Sequence, residues 1–303
     1  MDYRDLFHTH QSTGADVTIG GLPIARFQAD SLGIMRLDDE ARVMGFVERP
    51  KTNEQIEPVV MSPDWFRKHG VEARDRDCIA NMGIYLFNRD ALVDLLREDD
   101  CEDFGKQVFP RSVNRLRVQV HMFDGYWEDI GTIGAFYDAN LCLARDHSPL
   151  PFGLGDLPVY SRPRFLPPAR IRGARVTDSL VADGCEIGRN TEIEGSIIGP
   201  GCTIGDRVVV RNSVLFGVSI RRGVDGEQSQ HHVAGSPAVW VGSGSTIEGA
   251  IVDRNALIGR NSRIVNDHDV ESSEDADAVM IRDGIPVITK NARLPDGWNL
   301  AAH

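Results

Sequence analysis

The feature that most constrains the fold is a repeat in the second half of the chain. Single apolar residues recur every five or six positions, at Val176, Val181, Ile187, Ile193, Ile198, Ile204, Val209 and Leu215, and again at Ile247, Val252, Leu257, Ile258 and Ile264. Neither the period of a helix nor that of an ordinary strand fits this spacing. It is typical of a parallel β-helix, in which each short strand forms one side of a triangular coil and consecutive coils stack.

Glycine follows four of these apolar residues directly, at Ile187-Gly188, Ile198-Gly199, Ile204-Gly205 and Ile258-Gly259. We expect the aliphatic residue to point into a narrow core. We expect the glycine to lie at a corner of the coil, because a sharp turn often needs a positive φ angle.

A proline-rich segment separates the repeat from the rest of the chain. Six prolines lie between residues 146 and 168, a density that neither a helix nor a central strand tolerates. The sequence therefore predicts a first domain over residues 1–145, a linker over 146–170 and a β-helix over 171–303. The interruption at 223–235, which contains His231 and His232, is predicted to be a solvated loop rather than a metal site.

The first domain mixes predicted helices and strands, which indicates a layered α/β fold. We expect an irregular excursion over residues 52–77, and a strand buried on both faces over 79–87. The other predicted elements are a helix over Tyr3–Thr13 capped by Asp2 and ended by Gly14, a strand at 16–23, a hairpin at 32–48, a helix after Asn88 as its cap, a turn at 104–109, a strand at 118–123 and a helix at 133–145.

Composition limits the classes of function. The net charge is −12, from 33 basic and 45 acidic side chains, so broad nucleic-acid binding is not expected. No apolar run reaches membrane-spanning length and no signal peptide is visible. The five cysteines contain no CxxC pair, so we expect free thiols in a reducing cytoplasm and no zinc site.

Two short segments carry candidate chemistry. In GYWEDIGT, Asp129 precedes a helix, where it could bind a divalent metal that faces a phosphate, or could simply cap the helix that begins near Thr132. In GFVERPK, Glu48, Arg49 and Lys51 follow a strand and could bind a sugar and its phosphate, or could form a surface ion pair. A third polar cluster, DFGK, is best explained by Asp103 as a helix cap.

The ordered motifs MDYRDL, TGADVTI, SLGIMRLD, GFVERPK, NMGIYLF, DFGKQVFP, YWEDIGTIGAFYDANL, FLPPARI, IVDRNALIGRN and DGIPVITKNA span nearly the whole chain. Together they resemble the bacterial and plant glucose-1-phosphate adenylyltransferases (ADP-glucose pyrophosphorylases). The resemblance implies part of a Rossmann-like α/β nucleotidyltransferase domain followed by a left-handed parallel β-helix. It also implies a cytoplasmic homo-oligomer, a tetramer in the family.

The resemblance implies that glucose 1-phosphate attacks ATP to give ADP-glucose and pyrophosphate, with Mg²⁺, for glycogen or starch synthesis. By position, Asp129 matches a metal-binding aspartate and Glu48 a residue that contacts glucose hydroxyls. Arg49 stands where the family usually has a lysine that holds the sugar phosphate. Lys290 matches an activator-binding lysine and Arg254 lies where another is common, so we expect a phosphorylated effector near Lys290, between the domains.

The sequence also departs from the family pattern. No glycine-rich loop with arginine and lysine precedes Asp16, and the family's first metal-binding aspartate belongs before MDY. We therefore expect that the N-terminal nucleotide-binding part is absent, that residues 79–87 have a bare edge, and that the chain alone is inactive. Asn81, where serine is common, is a further departure.

Three hypotheses remain open from the sequence. The chain is part of a working adenylyltransferase, a non-catalytic regulatory relative, or a β-helix acyltransferase. The last needs a histidine on a coil, and residues 176–220 contain none. The first two are separated by the DNA upstream of Met1, which would encode the phosphate loop only in the first case.

Overall fold

The computed structural model describes residues 1–97, 113, 115–145, 147–150, 164–217, 239–273 and 278–302. These residues form two compact units, Met1–Trp127 and Glu128–His303. The predicted turn at 104–109, the cap Asp103 and the histidines at 231 and 232 lie outside the described ranges.

The first unit is a layered α/β structure. Its sheet has the order β3-β2-β4-β1-β5, in which β1 and β5 are parallel and the other neighbours are antiparallel. Its elements are α1 (Tyr3–Thr13), β1 (Val17–Ile24), β2 (Gly33–Leu37), β3 (Val43–Glu48), α2 (Asn53–Ile56), α3 (Pro63–Lys68), β4 (Cys78–Phe87), α4 (Arg89–Arg97) and β5 (Val118–Met122).

Helix α1 begins and ends where the sequence predicts. The Asp2 carboxylate accepts a hydrogen bond from the main-chain N–H of Arg4, and Gly14 ends the helix in the left-handed conformation with φ 60°. Leu6 and His10 face inward. His10 Nδ1 lies 2.8 Å from Thr18 Oγ1 on β1, so α1 covers the face of the sheet to which Thr18 points.

Two predictions for this unit were wrong. Residues 52–77 are only partly irregular, since they contain α2 and α3, and α3 buries Trp65 and Phe66 in one cluster with Val17, Ile19 and Met35 of the sheet. Asn88 does not cap α4 with its side chain.

The Asn88 side chain is used inside the unit instead. Its Nδ2 donates to Ala15 O at 3.1 Å, and its Oδ1 accepts from His10 Nε2 at 3.2 Å. His10 Nδ1 lies within hydrogen-bonding distance of the Thr18 hydroxyl, so both ring nitrogens of His10 and both groups of the Asn88 amide have a partner.

Strand β4 is only partly covered along one edge. Ile79 and Ala80 pair with β2, whereas the pairing of residues 81–87 among the described strands is with β1 alone. Side chains from Ile84 to Phe87 are half-buried, so the prediction of burial on both faces holds only for the first half of the strand.

The second unit contains a parallel β-helix, as predicted, and its first strand begins at Arg170, one residue before the predicted start. Coil by coil, the strands are β6 (Arg170–Ile171), β7 (Arg175–Thr177), β8 (Leu180–Val181); β9 (Glu186–Ile187), β10 (Glu192–Glu194), β11 (Ile197–Ile198); β12 (Thr203–Ile204), β13 (Val209–Arg211), β14 (Val214–Leu215); β15 (Trp240–Val241), β16 (Thr246–Glu248), β17 (Ile251–Val252); β18 (Leu257–Ile258), β19 (Arg263–Ile264), β20 (Val279–Arg282), β21 (Ile285–Ile288); and β22 (Arg293–Leu294). These strands form three sheets, which are the sides of the β-helix and have the orders β6-β9-β12-β15-β18-β22, β7-β10-β13-β16-β19 and β8-β11-β14-β17-β21-β20.

Aliphatic residues stack in columns inside the coils. Ile187, Ile204, Val241 and Ile258 form one such column, and each is almost completely buried.

At one corner of the coils, stacked serine side chains form a polar ladder. Ser196 Oγ donates to Glu194 O at 2.7 Å and accepts from the N–H of Ser213 at 3.1 Å, which satisfies buried main-chain groups between coils.

The glycines after the apolar residues are present for a different reason from the one predicted. None of Gly188, Gly199, Gly205 and Gly259 has a positive φ angle. A Cβ on Gly199 would lie 2.3 Å from Gly217 N, and one on Gly259 would lie 2.4 Å from Asp296 N. The neighbouring coil therefore excludes a side chain at these positions.

Positive φ angles occur one or more residues later in the coils, often at asparagine. Asparagine tolerates this conformation better than most non-glycine residues. The asparagines with positive φ are Asn190, Asn212, Asn255, Asn261 and Asn291.

Helix α5 (Ile133–Cys142) belongs to the second unit by its packing, although the predicted first domain extended to residue 145. Its apolar residues, including Phe136 and Leu141, pack on outward-facing Val214, Ile251 and Ile285 of the β-helix. Burial of each such side chain contributes about 1.5–3 kcal/mol. Apolar residues can occupy the outer face of this sheet because α5 covers them and excludes water.

Across the described ranges, no helix is both long enough and apolar enough to cross a membrane.

One matched pair of substitutions tests the stacked core. Ile204 and Ile171 occupy the same column, but Ile204 is 2% exposed and Ile171, in the first coil, is 47% exposed. We expect Ile204→Ala to lower the free energy of unfolding by about 2–5 kcal/mol and Ile171→Ala to lower it by less than about 1 kcal/mol. Urea titration followed by circular dichroism measures both, and equal losses would contradict the stacking.

Candidate functional site

The β2–β3 hairpin presents Glu48 and Arg49 at its end. Glu48 is the last residue of β3, and the N–H of Arg49 donates to Leu32 O at 3.0 Å. Arg49 has φ 45°, a conformation that costs a non-glycine residue ~1–2 kcal/mol. The Arg49 Nε–Glu48 Oε1 distance is 3.6 Å, and their side chains are 65% and 36% exposed. An ion pair this exposed adds little to the free energy of unfolding, and both side chains remain accessible to a ligand.

Gly33, which was not among the residues predicted for the site, supports Glu48. Gly33 pairs with Glu48 across the hairpin. A Cβ on Gly33 would lie 2.2 Å from Phe46 Cζ and 2.9 Å from Glu48 Oε2. The Glu48 carboxylate therefore occupies space that any larger residue at position 33 would take. The only sequence signal is a glycine inside a predicted strand.

Lys51 lies close by in the chain. Its Nζ donates to Asp30 O at 2.8 Å, and its main-chain N–H donates to Gln55 Oε1 at 2.7 Å. An ammonium group has three donors, so two remain for a ligand. Glu48, Arg49 and Lys51 therefore form one short segment at the end of β3.

Asp129 lies in the second unit, on the segment between Trp127 and α5. The alternative role of Asp129 as the helix cap does not hold, because Thr132 is the cap: its Oγ1 accepts from the N–H of Ala135 at 3.1 Å. β5 already ends at Met122, so Asp129 is on a loop rather than directly at a strand end.

The Asp129 carboxylate is exposed, and no described residue forms an ion pair or a hydrogen bond with it. A Cβ on Gly131 would lie 3.3 Å from Asp129 Oδ1, so the glycine leaves room beside the carboxylate. Among the described residues, no three His, Cys, Asp or Glu side chains are grouped closely enough to hold a metal ion. Asp129 can therefore offer one ligand, which suits Mg²⁺ when phosphates and waters supply the rest.

Arg254 and Lys290 lie on neighbouring coils at one corner of the β-helix. Val252 pairs with Ile288, and the N–H of Asn291 donates to Arg254 O at 3.0 Å, so positions 254 and 290 are stacked. Both side chains are exposed. Arg254 Nε contacts Asp253 Oδ1 at 3.2 Å, while Lys290 has no acidic partner among the described residues. Two stacked cations at one corner favour an anion.

Cys185 and Cys202 also occupy equivalent positions of neighbouring coils. A hydrogen bond with the Cys202 thiol lowers the pKa of Cys185 to about 7, and the same contact raises the pKa of Cys202. In the sequence, the separation of 17 residues between Cys185 and Cys202 indicates that they are close in space, because 17 residues lead from one coil to the equivalent position of the next. All cysteines in the described part of the chain are free thiols, as expected.

Two family models match the chain, one on each side of the proline-rich segment. Residues 1–146 match a nucleotidyl transferase model, and residues 164–298 match the GLGC left-handed parallel β-helix domain. The chain belongs to the glucose-1-phosphate adenylyltransferase family. This confirms the predicted fold class, a nucleotidyltransferase domain followed by a left-handed β-helix.

In this glucose-1-phosphate adenylyltransferase relative, the nucleotidyl transferase match includes α5 although that helix packs with the β-helix. The region that matches the nucleotidyl transferase family therefore ends at residue 146, whereas the first compact unit ends at Trp127. At the coarser level, the two matches place the chain among the sugar-1-phosphate nucleotidyltransferases.

A glycine pair tests the support of Glu48. We expect Gly33→Ala to lower the free energy of unfolding by about 1–3 kcal/mol, because the new methyl group meets the Phe46 ring and the Glu48 carboxylate. Gly45→Ala in β3 is the control, since its Cβ would meet only Arg36 at 3.5 Å or more. Thermal and urea unfolding measure the stability of both variants. A Gly33→Ala protein as stable as the parent would refute the close approach of Gly33 to Phe46 and Glu48.

Proposed function

We propose that this protein serves the glucose-1-phosphate adenylyltransferase reaction of glycogen or starch synthesis. In that reaction a phosphate oxygen of glucose 1-phosphate attacks the α-phosphorus of ATP, the bond to the β-phosphate oxygen breaks, and pyrophosphate leaves. The observation that carries the proposal is the Glu48-Arg49-Lys51 segment at the end of a hairpin, in a domain that matches nucleotidyl transferases and precedes a GLGC β-helix.

The proposed roles follow from the side-chain chemistry. Glu48 accepts hydrogen bonds from sugar hydroxyls, and Arg49 with Lys51 neutralises the sugar phosphate. Arg49 presents a planar fork of donors where the family pattern has a lysine, which suits two phosphate oxygens at once. The exposure of Glu48 and Arg49 supports access by a ligand.

Asp129 is proposed as the metal-binding carboxylate. When bound, Mg²⁺ neutralises charge on the reacting phosphates. The unengaged carboxylate and the space left by Gly131 support this role. Proximity and charge neutralisation account for most of the rate in phosphoryl chemistry, so these few side chains matter mainly by position.

The chain contains no glycine-rich segment with arginine and lysine of the kind that cradles a triphosphate before Asp16. We therefore propose that these 303 residues hold the sugar-phosphate side of the reaction and do not by themselves grip ATP for turnover.

A regulatory role is the second candidate, favoured by the stacked Arg254 and Lys290 corner. Neither residue belongs to the sugar-phosphate segment. Lys290 has no acidic partner among the described residues, and the exposed Arg254 contacts Asp253 through Nε, which leaves its terminal amino groups for a phosphorylated metabolite. A non-catalytic relative would retain this corner and lose turnover. The proposed assembly is a homo-oligomer, a tetramer as in the family.

Ligand titration tests the proposed substrate segment. We expect glucose 1-phosphate to bind the purified chain in calorimetry, with Arg49→Gln or Glu48→Gln weakening affinity about tenfold or more, since each removes a hydrogen bond that involves a charge. Arg49→Lys, which keeps the charge and loses the planar fork, should bind more weakly than the parent and more tightly than Arg49→Gln. Lys68→Gln is the control, because Lys68 Nζ also donates to a main-chain carbonyl, that of Asp39.

Two results would count against this assignment. If the control weakens binding as much as Arg49→Gln, the effect is one of general charge. If the purified chain releases pyrophosphate from ATP and glucose 1-phosphate, the proposal that it lacks a triphosphate grip is wrong.

A second titration tests the effector corner. We expect a phosphorylated three- or six-carbon metabolite to bind with an affinity that falls about tenfold in Lys290→Gln and in Arg254→Gln, and that weakens with added salt. Arg207→Gln provides the control, because Arg207 is exposed on a different corner. Unchanged affinity in both corner variants would remove this site from the proposal.

A further inference from the structure

The first turn of α5 is held by a residue from the far end of the chain. The N–H of Gly134 donates to Asp283 Oδ2 at 2.8 Å, a contact between residues 149 positions apart. A free N–H at a helix N-terminus needs an acceptor, and a carboxylate there also interacts favourably with the helix dipole. Thr132 supplies the local cap, so Asp283 supplies a second one.

Position 134 is shaped for this contact. A Cβ on Gly134 would lie 3.3 Å from both Cβ and Oδ2 of Asp283, closer than most real contacts. The absence of a side chain thus allows the carboxylate to approach the main chain of the helix.

Asp283 is itself held firmly. Arg282 pairs with Ile285, and the two residues between them, Asp283 and Gly284, have φ angles of 53° and 74°. Two consecutive positive φ values are those of a type I′ hairpin turn, in which Asp-Gly is favoured. Asn266 Nδ2 donates to Gly284 O at 2.8 Å, which fixes the turn to a neighbouring segment.

The rest of α5 is fixed farther along the helix. The rings of Phe136 and Phe216 are stacked with their centroids 5.8 Å apart, and the Tyr137 hydroxyl donates to Asn212 O. Burial raises the pKa of Tyr137 to about 12, which keeps this hydroxyl a donor at any physiological pH. The hydrogen bond to Asp283 holds the end of α5 that is nearest to Asp129.

Asp129 lies three residues before Thr132, and Lys290 lies two residues after Ile288, at the end of β21. We propose that Asp283 is a positioning residue: through the N–H of Gly134 it anchors the segment that carries Asp129 to the same hairpin that leads into Lys290. This rests on the proposed role of Asp129 in metal binding. A movement of the hairpin then moves the Asp129 segment with it.

The choice of variant matters because Asp283 has a positive φ angle. Alanine there would add backbone strain, so Asp283→Gly is the variant that removes the acceptor alone. Asp283→Asn keeps an amide oxygen that can accept from Gly134 and tolerates the same conformation. Asp178→Gly is the matched control, since Asp178 is exposed, has φ 45° and makes no side-chain hydrogen bond with a described residue.

Amide hydrogen exchange in the full chain tests the anchor. We expect exchange at residues 133–136 to become about fivefold to tenfold faster in Asp283→Gly, to remain near the parent rate in Asp283→Asn, and to be unchanged in Asp178→Gly. The melting temperature should stay within about 2 °C of the parent in all three. Unchanged exchange in Asp283→Gly would overturn the proposal, and faster exchange throughout the second unit would show a general structural role instead.

Mn²⁺ provides a readout of position. In the parent chain we expect Mn²⁺ to broaden amide signals at 128–133, an effect lost in Asp129→Asn. The affinity of the chain for Mn²⁺ should fall several-fold in Asp283→Gly and return to the parent value in Asp283→Asn. If Mn²⁺ leaves the parent signals sharp, the metal role of Asp129 fails, while the exchange measurement still decides whether Asp283 anchors the segment. If Mn²⁺ binds equally in Asp283→Gly, the positioning role is refuted.

Discussion

Close stacking of one coil on the next is the constraint on which the second unit depends. Each coil pairs its main chain with the coils above and below, so parallel neighbours lie about 4.8 Å apart. At that spacing a Cβ on Gly199 would lie 2.3 Å from Gly217 N, and Ser196 can satisfy the N–H of Ser213. The same stacking brings Arg254 and Lys290 to one corner, so the spacing that builds the core also places the proposed anion site.

The outer face of one sheet shows how the helix and the coils depend on each other. Val214 and Ile251 point outward and would be exposed without α5, which packs Phe136 and Leu141 against that face. The helix in turn has a weakly amphipathic sequence that gives little indication of its partner. Because α5 also follows the Asp129 loop, its docking fixes where that carboxylate lies on the second unit, and Asp283 holds the end nearest to it.

Local signals predicted local structure well. Asp2 and Gly14 bound α1 because each interacts within a few residues of its own position. The 52–77 segment was mispredicted because the burial of Trp65 and Phe66 depends on a sheet face made by distant strands. Asn88 was mispredicted for the same reason: its partners, Ala15 and His10, are far away in sequence and outcompete the adjacent helix N-terminus.

The sequence by itself determined the fold class, an α/β nucleotidyltransferase domain followed by a left-handed β-helix, since repeat spacing and the order of motifs are properties of the linear chain. Only the tertiary structure decided that Gly33 makes room for Glu48, that Thr132 rather than Asp129 caps α5, and that this helix joins the second unit. Each of these depends on distances of a few ångströms between residues that only folding, or the exact course of the main chain, brings together. Hydrophobic periodicity carries no record of such distances.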